Sequence, residues 1–317
     1  MKEIEITRPL QLDRSQIVAL DTHSFLNILN VLNLELSNIA ELCSMENVLQ
    51  NHIDRLFVLA NEMSNPDTAY VRIAGLDQDM AAIEQQINEH LSTQPVLRDS
   101  ARVRDALESL DSIFLVLRKR IADLKARIDE LTSWREFDIA RVLEDFQAVF
   151  GAIEKNSKGR FRFTNNIAAQ ESRDYYLDFK IHSSEDPLIR MPAALIDVAR
   201  DLLANARKYT SPGGRINAGI WSDDSQLCIS VEDSGRGIPE DEIEFVIDYG
   251  HRASNVQDRR TMGGGLGLTK AYFICTQLGG RFWIRSELGR GTRIRIIIPK
   301  TADTIHDCPG DAATETS

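Results

Sequence analysis

No stretch of this 317-residue chain approaches the roughly 18 consecutive apolar residues that a membrane-crossing helix needs, so no transmembrane helix is expected. Residues 1–12 lack the apolar core of a signal peptide. Only four cysteines are present, Cys43, Cys228, Cys275 and Cys308, and no two have the close spacing of a metal site. They read as free thiols in a reducing cytosol. An excess of positive charge is also missing. The formal net charge is -11, which gives no support to general binding of nucleic acid or of anionic membranes. What remains is the profile of a globular cytoplasmic protein, with 43% hydrophobic and 27% charged residues, long enough for two domains.

The first half reads as helical. Asp13 to about Met63 predicts one long helix with two neighbouring apolar stripes, which suits packing on two sides in a four-helix bundle. Asn65-Pro66-Asp67 is a turn signal. A second helical stretch, 75–92, ends before Gln94-Pro95, and a third runs from Asp99 or Ser100 to about Trp134 with a near-heptad seam. A hairpin of such helices is expected to dimerise to complete a bundle. After Phe137 helices and strands mix. Helices are predicted at about 139–155, 192–208 and 266–278, with another after Pro239. Strands are predicted at 160–167, 176–181, 215–221, 226–232, 281–286 and 292–298. This half reads as an α/β sandwich, so the fold class is α+β. The expected division is a helical domain at 1–135, a second domain at 136–300 and a small, polar, disordered tail at 301–317.

Four segments of the second half carry candidate chemistry. In the helix around 201–210, Asp201 and Asn205 are one turn apart on one face. An amide oxygen such as that of Asn205 suits Mg²⁺, which keeps water and phosphate oxygens as its other ligands. Lys208 can meet a phosphate as a point charge. The second segment, Glu232 to Ile238, ends a strand in acid and then places Gly235 and Gly237, where a base can approach the backbone. A carboxylate there can accept the exocyclic amine of adenine. The third runs from Gly263 to Leu268 and opens a helix, so its backbone N–H groups suit phosphate oxygens. It is not a Walker A loop, because no Lys-Ser/Thr follows, and not a dinucleotide fingerprint, because no strand precedes it. The fourth, Gly289 to Thr292, is a hairpin turn. Alone, each segment has a plain alternative: a polar surface helix, a simple turn, a flexible hinge.

Their order and spacing resemble the histidine-kinase branch of the ATPase superfamily that also holds gyrase B and MutL. Asp201 to Thr210 resembles that family's N box, Asp233 to Gly237 its G1 box, and Gly263 to Leu268, including Leu266, its G2 box. The resemblance covers about 137–299 and implies binding of ATP with Mg²⁺ in a Bergerat-type fold. It assigns the metal to Asn205, adenine to Asp233 with Gly235 and Gly237, the phosphates to Lys208, the pocket wall to Tyr209, and the lid hinge to Gly263, Gly265 and Gly267. The lid itself would be about 246–262, with Arg252, Arg259 and Arg260 available to touch phosphate. Asp201 departs from the family's usual Asn. An acid there implies orientation of a water or, equally, a second-shell role at the metal.

The family's other half carries a phosphorylated histidine, and His23 stands at that place in Leu20-Asp-Thr-His23-Ser-Phe-Leu-Asn27. His23, Asn27 and Asn30 share a face off both apolar stripes. The acid that normally follows the histidine is Ser24, while an unperturbed imidazole, pKa about 6.5, is already mostly neutral at pH 7. The missing group therefore affects orientation and proton removal, and a positioned general base is worth about 10²–10⁴ in rate. Asp21 points about 200° away around the helix. The resemblance gives Asn27 the place of a residue that orients water for dephosphorylating the partner. It thus implies a dimeric two-component histidine kinase, weak through Ser24 and without a recognisable sensor domain, that passes phosphate to a response-regulator receiver domain. The alternatives are a non-catalytic docking module, a response-regulator phosphatase that still binds ATP, and a serine-directed kinase of the same superfamily. The extra helical stretch at 75–92 has no expected role beyond docking or packing.

Overall fold

The computed structural model describes residues 3–63, 65, 67–129, 133–257 and 264–300. The side chains of His23, Ser24, Asn27, Asn156 and 123–129 fall outside that description, as do Gly263, Arg259, Arg260, Cys308 and the polar tail. Two compact units are present: residues 12–125, and residues 1–11 together with 126–317. The first eleven residues, expected with the helical domain, therefore belong to the C-terminal unit.

The helical unit starts at α1 (Arg14–Cys43). Asp13 caps it by accepting from the Gln16 N–H at 2.8 Å, and the Gln16 side chain accepts from the Asp13 N–H in return. The single helix predicted over 13–63 breaks at Ser44, whose φ of 53° and ψ of 45° are left-handed. The chain reverses into α2 (Glu46–Glu62). No Gly or Pro marks the break. Its cause is burial: Met45, Leu49, Leu56 and Leu59 return to a core shared with Leu29, Leu32 and Leu36 of α1. Next come α3 (Ala69–Ser92), the short α4 (Pro95–Arg98) and α5 (Ala101–Asp129). Pro95, read as a break, opens α4 at the first helical position, where its missing N–H costs nothing.

Helices α1, α2, α3 and α5 bury one continuous core, from Phe25 and Leu49 to Leu76, Ile83, Leu110 and Phe114. One chain thus supplies four packed helices, and a second copy is not needed to close this core. The stretch at 75–92 is α3, the bundle's third member. Near its start the Tyr70 hydroxyl donates to Asp21 at 2.7 Å, and buried Thr22 donates to Val18 O at 2.9 Å and lies 3.3 Å from Met63 O. The turn of α1 just before His23 is held by these contacts.

The C-terminal unit is a sheet covered on one face by helices. Its elements are β1 (Glu3–Glu5), β2 (Trp134–Asp138), α6 (Ile139–Asn156), β3 (Phe163–Thr164), β4 (Tyr175–Ser183), β5 (Leu188–Pro192), α7 (Ala194–Tyr209), β6 (Arg215–Ser222), β7 (Gln226–Asp233), α8 (Leu266–Gln277), β8 (Arg281–Glu287) and β9 (Gly291–Pro299). Seven strands order as β1-β8-β9-β7-β6-β4-β3, and β2 pairs with β5 apart from them. Alternate residues of the strands, such as Ile216 and Ile220, Ile229 and Val231, and Ile294 and Ile296, join α6, α7 and α8 in one core. The stretch after Pro239 is a short 3-10 turn, Glu240–Glu242, not the expected helix. Cys43 and Cys275 are buried free thiols, whereas Cys228 is disulfide-bonded, against the expectation of four free thiols.

β1 was not visible in the pattern, since three residues are too few to show a period. It adds an antiparallel edge to β8, with Glu5 on Arg281, Glu3 on Arg295, and buried Ile6 in the core. The Tyr272 hydroxyl donates to Arg8 O at 2.6 Å, and Arg8 reaches Asp248 at 3.2 Å. Replacing Ile6 by Ala removes a side chain that is 4% exposed and is expected to destabilise this unit by about 2–5 kcal/mol in a urea titration. A change within error would mean that the N-terminal segment does not belong to the fold.

Candidate nucleotide site

The four segments singled out by sequence come together at one end of α7. Asn205 is partly buried on α7, and its side chain lies against the first turn of α8, where a Cβ on Gly267 would sit 2.7 Å from Asn205 Nδ2. At the C-terminal end of α7, Tyr209 O accepts from the Arg236 N–H at 3.2 Å. A Cβ on Gly235 would lie 2.6 Å from both Tyr209 O and Asp233 Oδ1. Gly237, at φ +69°, is pressed against Glu287 O, 2.0 Å from where a Cβ would be. The Gly289 N–H closes the set by donating to Arg236 O at 2.8 Å. Gly235 and Gly237 are thus required by close backbone approach. Lys208 lies with Nζ 5.1 Å from the Tyr209 ring centroid.

Asp233 ends β7 between these loops. Its carboxylate accepts from the Gly235 N–H at 2.8 Å and from the Thr292 N–H. Burial is the larger influence and pushes its pKa up to about 7, against those two donors, with nearby Glu232 adding to the rise. A carboxylate in this position is poorly hydrated and accepts readily from a ligand N–H.

Gly265, at φ +80°, starts α8 from a left-handed conformation, and a Cβ there would meet His251 O at 2.5 Å. Leu266 is buried. The Arg252 side chain donates to Val256 O at the foot of the expected lid. Thr269 donates to Asp248 O at 3.1 Å, and Asn255 donates to Gly237 O at 2.9 Å, so the described part of that segment is stitched to α8 and to the 233–237 turn. Gly263 and the two further lid arginines lie outside the described residues.

Two residues escaped the sequence reading. Lys270 on α8 is 1% exposed and donates to Asp197 and, at 2.9 Å, to Asp201. Asp201, expected at a water or a metal, has its Oδ2 on this ammonium group. A lysine at an apolar position of a buried helix, facing acids at 197 and 201 on another, was the available signal. Among the described residues no three His, Cys, Asp or Glu side chains converge to hold a metal ion. A cation here would depend on Asn205 and on the ligand's own oxygens.

Residues 191–302 match the family described as histidine kinase-, DNA gyrase B- and HSP90-like ATPase. This segment is a histidine-kinase-type ATPase domain. Among curated proteins, the sensor histidine kinase RppB of Synechocystis is 34% identical over 33% of this chain and 23% of its own length. SasA of Synechococcus elongatus, an adaptive-response sensory kinase, is 37% identical over 34% of this chain and 28% of its own. ArlS of Staphylococcus aureus, a signal transduction histidine-protein kinase, is 26% identical over 92% of this chain and 60% of its own. The chain spans at most about 60% of these relatives. Among solved structures, the catalytic domain of histidine kinase ThkA covers 54% of this chain and 99% of its own at 20% identity and TM-score 0.38. ThkA in complex with response regulator protein TrrA covers 82% of this chain and 67% of its own at 17% identity and TM-score 0.36. Among the described residues no helix is long and apolar enough to cross a membrane.

The raised pKa of Asp233 gives a signed prediction for the ATPase domain. Its folded value, about 7, lies above the unfolded value near 3.8, so the fold prefers the protonated carboxyl. That stabilising preference is complete below about pH 4 and is lost as pH rises through 7. Asp233→Asn removes the titration. The variant is expected to melt above wild type by a clearly larger margin at pH 8 than at pH 5, while losing adenine-nucleotide binding. An equal gain in Tm at both pH values would show that the carboxylate is not buried as described.

Proposed function

We propose that the chain is an ATP-dependent histidine autokinase that passes a phosphoryl group from His23 to an aspartate of a response-regulator receiver domain. The observation that carries this reading is the convergence of Asn205, Asp233 and the glycine-opened α8 in the ATPase domain, in a chain whose helical unit bears His23 on its first helix. The ArlS alignment covers 92% of the chain and so extends through the helical unit.

In this reading Asp233 accepts the adenine amine, and Gly235 and Gly237 let the base reach the backbone. Tyr209 lines the pocket. Lys208 and Arg252 meet the phosphates together with N–H groups at Gly263, Gly265, Leu266 and Gly267. Asn205 fits Mg²⁺, because its amide stands at the one place where α8 offers only a Gly Cα. Bound Mg²⁺ supplies neutralisation of triphosphate charge. A ring nitrogen of His23 then donates its lone pair to the γ-phosphorus, the bond to the ADP oxygen breaks with its electrons on ADP, and the imidazole loses its remaining N–H proton to solvent or a base. An aspartate carboxylate of the receiver next attacks phosphorus and the N–P bond breaks. Catalysis is chiefly positioning and charge. Ser24 leaves the proton without an adjacent acid, so the autokinase step is expected to be slow, and Asn27 favours a phosphatase direction toward the receiver. The setting is cytosolic, where ATP is found. Exposed Leu34, Phe57, Val58 and Val71 on the helical unit support pairing of two copies.

Incubation with γ-labelled ATP and Mg²⁺ tests the reading. Acid-labile label on wild type, absent from His23→Ala and reduced at least about tenfold in Asn205→Ala, is the expected result. Acid-stable label would turn the assignment toward a serine-directed kinase. Absence of label from a protein that binds ATP would remove autokinase activity and leave a docking module or phosphatase, which release of phosphate from a phosphorylated receiver would separate.

A further inference from the structure

Helices α7 and α8 meet as a ladder. The first rung is Asn205 against Gly267, where the helices are so close that a Cβ on Gly267 would be 2.7 Å from the Asn205 amide nitrogen. The next rung is ionic. Lys270 lies one turn beyond Gly267, and its ammonium group donates to Asp201, one turn before Asn205, and to Asp197, a further turn back. The Lys270 and Asp197 side chains are each only 2% exposed. Apolar contacts are non-directional and leave several packings of similar energy open. Charge-assisted hydrogen bonds from one buried ammonium group to two carboxylates do not, since misalignment strands charge in a dry interior.

We propose that the Lys270–Asp197–Asp201 cluster fixes the separation and register of α7 and α8, and thereby aims the Asn205 amide at the metal–phosphate group. Lys270 and Asp201 are positioning residues. The Asp201 Oδ2 is engaged by Lys270. The inference rests on the reading of the ATPase domain as a site for Mg²⁺ nucleotide. It adds that the cluster acts on the metal-dependent part of binding and leaves the adenine end, formed by Asp233 at the other side of the pocket, as it was.

Calorimetric titration of the full chain with ADP, with and without Mg²⁺, separates these parts. Asp201→Ala and the charge-paired Lys270→Met/Asp197→Asn variant are expected to bind metal-free ADP within about twofold of wild type. Both are expected to lose most of the tightening that Mg²⁺ gives, binding at least about tenfold more weakly with the metal present. Asp201→Asn keeps an oxygen for Lys270 and should restore wild-type behaviour. A folded Asp201→Ala variant with undiminished Mg²⁺ enhancement overturns the proposal, as does an equal loss of affinity with and without the metal, the mark of a merely structural role. Asp201→Ala leaves the Lys270–Asp197 pair intact and decides the matter if the double variant does not fold. Wild-type protein that binds ADP without any Mg²⁺ effect would overturn the reading of the metal site itself.

Discussion

The approach of α8 to α7 sets the dimensions on which the rest of the C-terminal unit depends. Where Asn205 meets Gly267, a Cβ on the glycine would sit 2.7 Å from the Asn205 amide nitrogen. Around that contact the backbone is drawn equally tight, with Gly235 on Tyr209 O, Gly237 on Glu287 O, and Gly291 with the position of its missing Cβ 1.8 Å from Asp233 O. Backbone stands where side chains would otherwise pack. The sheet makes this affordable. Its central strands β7 and β9 are apolar on the helix side through Ile229, Val231, Ile294 and Ile296, and they anchor both ends of the loops that converge.

Burial is used in two opposite ways a few residues apart. At Lys270 it is met by partners: one ammonium group donates to two carboxylates, an arrangement that demands one geometry. At Asp233 it is left partly uncompensated, with two backbone donors insufficient to hold the carboxyl in its ordinary range. A group under such tension is not explained by stability. A ligand that donates a further hydrogen bond would relieve it in the proposed reading, whereas the acid at 201 already meets Lys270, although both sit in segments that sequence alone marked as functional.

What was legible follows from the same physics. Long amphipathic periods gave α6, α7 and α8 nearly to their ends and gave α3 and α5 with one end misplaced, α3 starting at Ala69 and the expected end of α5 falling on Trp134 of β2, and alternation gave β4, β6, β7, β8 and β9. The glycines at 235, 237 and 291 were legible because close approach to backbone leaves no room for a side chain. The break at Ser44 was not, because a left-handed serine is imposed by the packing of α2 on α1 and no local residue demands it. Nor were β1 and β5, short strands whose register is supplied by their partners, β8 and β2. The Lys270 cluster was missed because each of its members looks ordinary within its own helix, and its meaning exists only across two.

The N-terminal strand changes the logic of the whole chain. With β1 on β8 and Arg8 on Asp248, the polypeptide leaves the C-terminal unit at Gln11, builds the helical unit, and returns near residue 126. The helical unit is therefore an insertion into the ATPase fold, joined at two points of the chain. Asp248, which Arg8 holds, also accepts through its carbonyl from Thr269, one residue from Lys270. The segment that runs into α1 and the helix that runs past Asn205 thus both contact Asp248.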